Sequence, residues 1–257
     1  MHRISDIKMV VTDLDGTLLR DDKTISTYTE SILTGLREKG ILFAVATARP
    51  IRAVKGFLPF LSYDAAAYHN GAVVYAGDSF LGGFGIKNPT AITASLLKAM
   101  PDITISVEAN DIMYSNYNAD KIWRGIVYTK TQDFHEIESL AADKIIVEAD
   151  SLEAMHKFKA YIPEDLYLLL SENQLAMIMN KQATKANGVR LLADYYGIAM
   201  EQIIAFGDDY NDIDMLKSCG IGVAVADALE EVKAVSDYGC EDSNQDGVAR
   251  WLAEYIL

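Results

Sequence analysis

The sequence predicts an α/β protein, an open parallel sheet flanked by helices and interrupted by an inserted α+β unit. Short apolar runs alternate with segments of helical period near both ends of the chain, and the middle breaks that alternation. Acidic and hydroxyl residues follow directly on the ends of the apolar runs.

Residues 7–12 are an apolar run long enough only for a buried strand. Ser26 can cap a helix through Lys39, with Ile32, Leu33 and Leu36 at helical spacing and Gly40 as its stop. Residues 41–46 form a second run; Pro50 then opens a helix with Val54, Phe57 and Leu58 on one face. Residues 65–68 form a third run, ending at His69-Asn70-Gly71. The alternation resumes with a helix at 184–196, a strand at 202–206, a helix at 211–217, a strand at 221–225 and helices at 229–234 and 248–256. Residues 1–82 and 181–257 are thus expected to share one sheet with right-handed crossovers. In between, 83–180 reads as helices at 89–100 and 152–161 among strands at 103–107, 144–148, 166–170 and 175–179. Turn signals stand at Ala109-Asn110-Asp111 and Glu172-Asn173, and Gly82-Gly83-Phe84-Gly85 reads as a hinge into this unit.

The 257 residues are half apolar, enough for one large core or two modest ones, and the net charge is −14. That charge disfavours nucleic acid and anionic membranes as partners, so anion binding has to be local. Cys219 and Cys240 are too few for a disulfide framework and read as small buried hydrophobes in a reducing compartment. No run approaches the roughly 20 apolar residues of a membrane span, and Met1-His2-Arg3-Ile4-Ser5-Asp6 carries no signal-peptide core. A soluble cytoplasmic protein is expected; nothing in the sequence bears on oligomeric state.

Four clusters sit where an open parallel sheet binds ligands, beyond the strand ends. Asp13-Leu14-Asp15-Gly16-Thr17 puts two carboxylates at a strand end, costly to desolvate without a cation, although an isolated Asp-x-Asp is as readily an acidic turn. Thr47-Ala48-Arg49 offers a hydroxyl before a helix, as a phosphate ligand or a cap. Lys185 is a cation at a helix N-terminus, an unfavourable place that singles it out; a solvated surface lysine is the alternative, and Lys181 competes. Gly207-Asp208-Asp209-Tyr210-Asn211-Asp212 gathers oxygen ligands fit for a hard cation, or forms a capped loop.

Together, in this order, these clusters resemble the four motifs of the haloacid dehalogenase-like hydrolase superfamily. The Asp-x-Asp-Gly-Thr form at Asp13 resembles that of its phosphatases, and Thr47, Lys185 and Gly207-Asp208-x-x-Asn211-Asp212 match the remaining motifs. Asn70-Gly71-Ala72, Met215-Leu216 and Asp246-Gly247-Val248-Ala249 are similar to the Cof-type subfamily with its C2B cap. Ala226-Asp227-Ala228 departs from it, with a carboxylate where an amide is usual, and Ala48 stands where glycine is common.

The resemblance implies a Rossmann-like core, an inserted α+β cap, and a Mg2+-dependent phosphatase acting on a small phosphorylated metabolite, a sugar phosphate or phosphorylated cofactor. It implies that Asp13 attacks phosphorus to form an aspartyl-phosphate and that Asp15 serves as acid and base. Asp13, the Asp15 carbonyl and Asp208 would hold magnesium, while Thr47 and Lys185 bind phosphate. Asp212 would act through metal-bound water, and Asn211 would orient Lys185 or the loop. Asn70 and Gly71 form a possible substrate loop, and Tyr114, Asn116, Lys121 and Arg124 are cap residues that face the substrate or decorate the surface. A phosphotransferase or phosphomutase would keep the same core; a non-catalytic metabolite sensor would have no need of Asp15 beside Asp13.

Overall fold

A computed structural model of the chain describes residues 6–149, 151–171 and 175–257. Its first strand, β1 (Met9–Thr12), is buried at every position, as a strand covered on both faces must be. Ser26 caps α1 (Thr27–Glu38), its Oγ accepting the Thr29 N–H at 3.0 Å, and Thr29, Leu33 and Leu36 form the buried stripe. The strand β2 (Leu42–Ala46), the helix α2 (Ile51–Phe57) and the strand β3 (Ala65–Tyr68) follow. Beyond them lies a hairpin that the sequence reading lacks, β4 (Val73–Ala76) and β5 (Ser79–Gly82). Strands this short show no resolvable period. Gly82, read as part of a hinge, is the last residue of β5.

The chain then forms a second unit over residues 84–183, while 1–83 and 184–257 make up the first. The second unit contains α3 (Pro89–Ala99), β6 (Ile105–Ala109), β7 (Ile112–Ser115), β8 (Thr129–Lys130), β9 (Lys144–Glu148), α4 (Leu152–Phe158), β10 (Leu166–Ser171) and β11 (Leu175–Asn180). Its sheet runs β10-β11-β9-β6-β7-β8, and one sheet face packs with α3 and α4 around Ile92, Leu96, Val107, Ile145, Phe158 and Ile178. Asn110 and Asp111 both have positive φ, the left-handed pair that a tight hairpin needs, so the expected turn joins β6 to a β7 the sequence reading lacks. The expected turn at Glu172-Asn173 lies outside the described residues.

The first unit resumes with α5 (Lys185–Tyr196), β12 (Ile203–Gly207), α6 (Ile213–Ser218), β13 (Ile221–Val225), α7 (Glu230–Lys233), β14 (Tyr238–Cys240) and α8 (Gly247–Tyr255). Its sheet order is β14-β13-β12-β1-β2-β3-β4-β5, parallel from β14 to β3 and antiparallel over the terminal hairpin. The α/β class expected from the sequence is the class observed. From β1 the chain steps one way through β2 and β3, and after the insertion it restarts at β12 on the other flank of β1. That reversal opens a crevice beyond the carboxyl ends of β1 and β12. Among the described residues no helix is long and apolar enough to cross a membrane. Cys219 and Cys240 are free, and burial pushes both thiols up to about 12.

Candidate active site

Asp13 leaves β1 at the crevice, its N–H bonded to the Phe206 carbonyl of β12 at 3.0 Å. Gly16, with φ +83, turns the chain there, and a Cβ on it would meet Asp208 Oδ2 at 2.5 Å. Glycine at this turn therefore lets the Asp208 carboxylate close on the Asp13 loop. Thr17 Oγ1 donates to Asp208 Oδ1 at 2.6 Å and fixes that carboxylate.

Lys185, at the first turn of α5, is 1% exposed. Its Nζ donates to Asp13 Oδ1 at 2.6 Å and to Asp212 Oδ1 at 2.7 Å, so two buried carboxylates offset a cation placed against the helix dipole. Lys181, the competing candidate, is exposed. Asp212 Oδ2 accepts the N–H groups of Asp208 and Asp209 at 3.1 and 3.2 Å, which ties the loop after β12 to Lys185. Asn211, expected to orient Lys185 or the loop, contacts the loop after β3: its Nδ2 donates to Asn70 Oδ1 at 3.2 Å. The contact with Lys185 is made by Asp212 instead, because the 3₁₀ turn Tyr210–Asp212 buries Asp212 and leaves Asn211 outside.

Thr47 is buried after β2; its Oγ1 accepts the Arg49 N–H at 3.2 Å, leaving its hydroxyl hydrogen for another acceptor. Asn70 follows β3, and its N–H donates to the Thr47 carbonyl at 2.9 Å, so it bridges the Thr47 and Asn211 loops. Gly71, read as substrate loop, has φ +94 and packs against the Thr184 carbonyl at the start of α5, where a Cβ would clash. In the inserted unit, Tyr114 belongs to the apolar core and Asn116 spends its amide on Ile103 O and Ile105 N, each at 2.8 Å, so both serve their own unit. Asp227, the departure from the subfamily pattern, is exposed.

Asp15 has partners that the sequence reading missed. Arg49 Nε and Nη2 donate to its Oδ2 and Oδ1 at 2.5 and 2.6 Å, and Lys23 Nζ reaches Oδ1 at 2.8 Å. Arg49 was visible in its motif without a role; Lys23 comes from a turn with no local signal. Burial pushes Asp15 up, but hydrogen bonds and charge from Arg49 and Lys23 hold its carboxyl below the ordinary range. Asp13 goes the other way. Burial drives it up to about 8, against the attraction of Lys185 and with repulsion from Asp212 and Asp208 adding to the rise. Burial likewise lifts Asp208 to about 6. Burial pulls Lys185 down, yet Asp13 and Asp212 overcome this and keep it protonated.

These shifts have one electrostatic origin. One carboxylate oxygen from each of Asp13, Asp208 and Asp212 lies within 4.8 Å of the others, and one ammonium bonds two of the three, Asp13 and Asp212. An all-oxygen set with two unbalanced negative charges suits a hard divalent cation. Among the described residues no hydrogen bond reaches Asp13 Oδ2 or Asp208 Oδ2, so both remain available as ligands, whereas both oxygens of Asp212 are occupied.

The sequence profile of the haloacid dehalogenase-like hydrolases matches residues 10–252. The chain is 27% identical, over 96% of its length and 97% of the relative, to the Bacillus subtilis 5-amino-6-(5-phospho-D-ribitylamino)uracil phosphatase YitU. It is 24% identical, over 97% of itself and 99% of the relative, to the pyridoxal phosphate phosphatase YbhA of Escherichia coli. The fold superposes on the Bacteroides thetaiotaomicron phosphatase BT1666 with a TM-score of 0.83 at 26% identity, covering 97% of this chain and 95% of that one. The chain belongs to the haloacid dehalogenase-like hydrolase family and is an enzyme of that class.

Proposed function

We propose that this enzyme is a magnesium-dependent phosphatase that hydrolyses a small phosphorylated metabolite, a sugar phosphate or phosphorylated cofactor, through a phosphoryl group carried on Asp13. The observation that supports it best is the cluster of buried Asp13 and Asp212, bridged by a single ammonium, with half-buried Asp208 beside them at the point where the sheet reverses direction. Magnesium, held by Asp13, Asp208 and the Asp15 main-chain carbonyl, would supply the charge that lets a carboxylate approach an anionic phosphate.

The chain's own residues account for the rest. Lys185, fixed by Asp212, places its ammonium at the nucleophile, where it offsets charge on the transferring phosphoryl. The Thr47 hydroxyl, its lone pair engaged by Arg49, donates its hydrogen to a phosphoryl oxygen. In the unliganded protein Asp15 is ionised, so the reaction runs from the form that has taken a proton from solvent: an Asp13 oxygen bonds to phosphorus as the ester P–O bond breaks, and Asp15 passes that proton to the departing alkoxide. Asp15, now a carboxylate, takes a proton from water; that water's oxygen bonds to phosphorus, the P–O bond to Asp13 breaks, and inorganic phosphate leaves. Asn70 and Asn211 hold the loops after β3 and β12 together.

Phosphate release from a panel of sugar phosphates, pyridoxal phosphate and flavin mononucleotide, with magnesium and with chelator, tests the reading. Magnesium-dependent release is expected, with acid-quenched protein carrying one phosphoryl mass on the Asp13 peptide. Release undiminished by chelation, or a phosphoryl group on another residue, would refute it.

A further inference from the structure

Two cations converge on the single carboxylate of Asp15. Arg49 grips it with two hydrogen bonds, at 2.5 and 2.6 Å, and this bidentate pair alone fixes its orientation. Lys23 adds a third contact at 2.8 Å, so two cations meet a single carboxylate at this rim in a chain whose net charge is −14. Each cation is anchored from behind. The Arg49 main chain is pinned by Thr47 Oγ1 and the His69 N–H, and Lys23 sits in a turn closed by hydrogen bonds between Arg20 and Thr24 and between Lys23 and Arg20. Arg20 in turn is clamped to Asp246 by Nη2 at 2.9 and 3.0 Å. Both cations have donors to spare, since Arg49 spends two of its five side-chain N–H groups on Asp15 and Lys23 one of its three. The Lys23 side chain is 50% exposed, so an incoming group can reach it.

The transferring phosphoryl belongs beside Asp13 and Lys185, in the buried half of the site. Asp15 must meet the leaving-group oxygen, so atoms a few bonds beyond that oxygen come up against Arg49 and Lys23. We propose that Arg49 and Lys23 form a subsite for a second anion, and that the substrates are phosphomonoesters whose leaving group carries a carboxylate or a further phosphate. This inference rests on the phosphatase reading above and narrows its substrate class.

The test compares esters matched except for the second anion: glycerol 3-phosphate with 3-phosphoglycerate, and fructose 6-phosphate with fructose 1,6-bisphosphate. The anionic member of at least one pair is expected to have a kcat/KM about tenfold higher or more, mostly through KM, as charge-assisted hydrogen bonds imply. Which pair shows the preference identifies carboxylate or phosphate as the anion. Arg49→Gln and Lys23→Gln should each bring that ratio close to one, and Lys23→Arg should retain most of it. The ratio within each variant is the readout, because Arg49→Gln also loosens Asp15 and slows both esters. Turnover of both members with no preference in either pair, or a preference untouched by both glutamine variants, overturns the subsite alone. Release from the pyridoxal phosphate and flavin mononucleotide panel but from none of these esters overturns the subsite alone, and absence of release from the esters and the panel together overturns the phosphatase reading and the subsite with it.

Discussion

Asp13 and Asp15 are near neighbours in the chain and live in opposite surroundings. Asp13 is buried, shares one ammonium with Asp212, and is pushed up to about 8. Asp15 is partly exposed, is held by two cations of its own, and stays below the ordinary carboxylate range. The buried half of the site is short of positive charge and the rim has an excess of it. The same residue type is thereby given two characters by its surroundings, one needing a cation to become a free carboxylate and one ionised without it.

The largest effect should come from Asp13. Asp13→Asn keeps size and removes the attacking charge, so turnover should fall by at least about a thousandfold. Because the Asp13 charge is unbalanced without a divalent cation, the same variant in chelator should melt no lower than the parent. A large activity loss accompanied by a lower melting temperature would mean that Asp13 is needed for the fold, and the contrast with Asp15 would fail.

Asp15→Asn should discriminate between leaving groups. Alkyl phosphates, whose alkoxide needs a proton, should slow by roughly a hundredfold to a thousandfold, and para-nitrophenyl phosphate by about tenfold or less. Equal losses on both would remove Asp15 from proton transfer and leave it as an anchor for Arg49 and Lys23.

The buried half of this comparison was largely legible in the sequence and the rim was not. Asp13, Asp208 and Lys185 follow apolar runs or open a helix, so local order alone puts them at one end of a parallel sheet. Lys185 stood out because a cation at a helix start needs an anion nearby. Which of Asn211 and Asp212 would hold it depends on how a single 3₁₀ turn faces, which spacing does not encode. The Arg49 and Lys23 contacts join separate loops at long side-chain reach, and nothing in the residues beside Asp15 marks them. Gly71 was legible as special, but the Thr184 carbonyl packed against it is a tertiary contact that its sequence neighbours do not mark. The hairpin of β4 and β5 escaped because its strands are too short to show a period, while Asn110-Asp111 could be read because a tight turn demands left-handed residues.

The carboxylate contrast also predicts how stability varies with pH once cations are removed. Asp13 and Asp208 have folded-state values, about 8 and about 6, above the unfolded value near 3.8. The folded state therefore binds protons more tightly, and the stability these groups contribute is fully present below that unfolded value and is lost as pH rises through the folded ones. In chelator the melting temperature should drop by several degrees between about pH 5 and pH 8. Magnesium should flatten that drop, because cation binding favours the charged carboxylates. The depressed Asp15 acts in the opposite direction at lower pH, contributing stability above its unfolded value that fades as pH falls. A chelated protein as stable at pH 8 as at pH 5 would show that the buried carboxylates are not short of positive charge.

The smallest predicted effect isolates a single hydrogen bond. Thr17 is buried, and its hydroxyl donates to Asp208 Oδ1 at 2.6 Å, while Asp208 Oδ2 is free of hydrogen bonds among the described residues. Thr17→Val keeps the shape of the side chain and removes only the donor, so Asp208 loses its orientation and one oxygen goes unsatisfied. A carboxylate that ligates a metal and loses such a partner typically gives up about tenfold to a hundredfold in cation affinity. The half-saturating magnesium concentration should rise by about the lower of these values, with kcat at saturating magnesium close to that of the parent. Thr17→Ser, which restores a hydroxyl, should bring the half-saturation back. An unchanged magnesium dependence in Thr17→Val would mean that Asp208 does not hold the cation, and the shortage of positive charge in the buried half would have to be met by Asp13 alone.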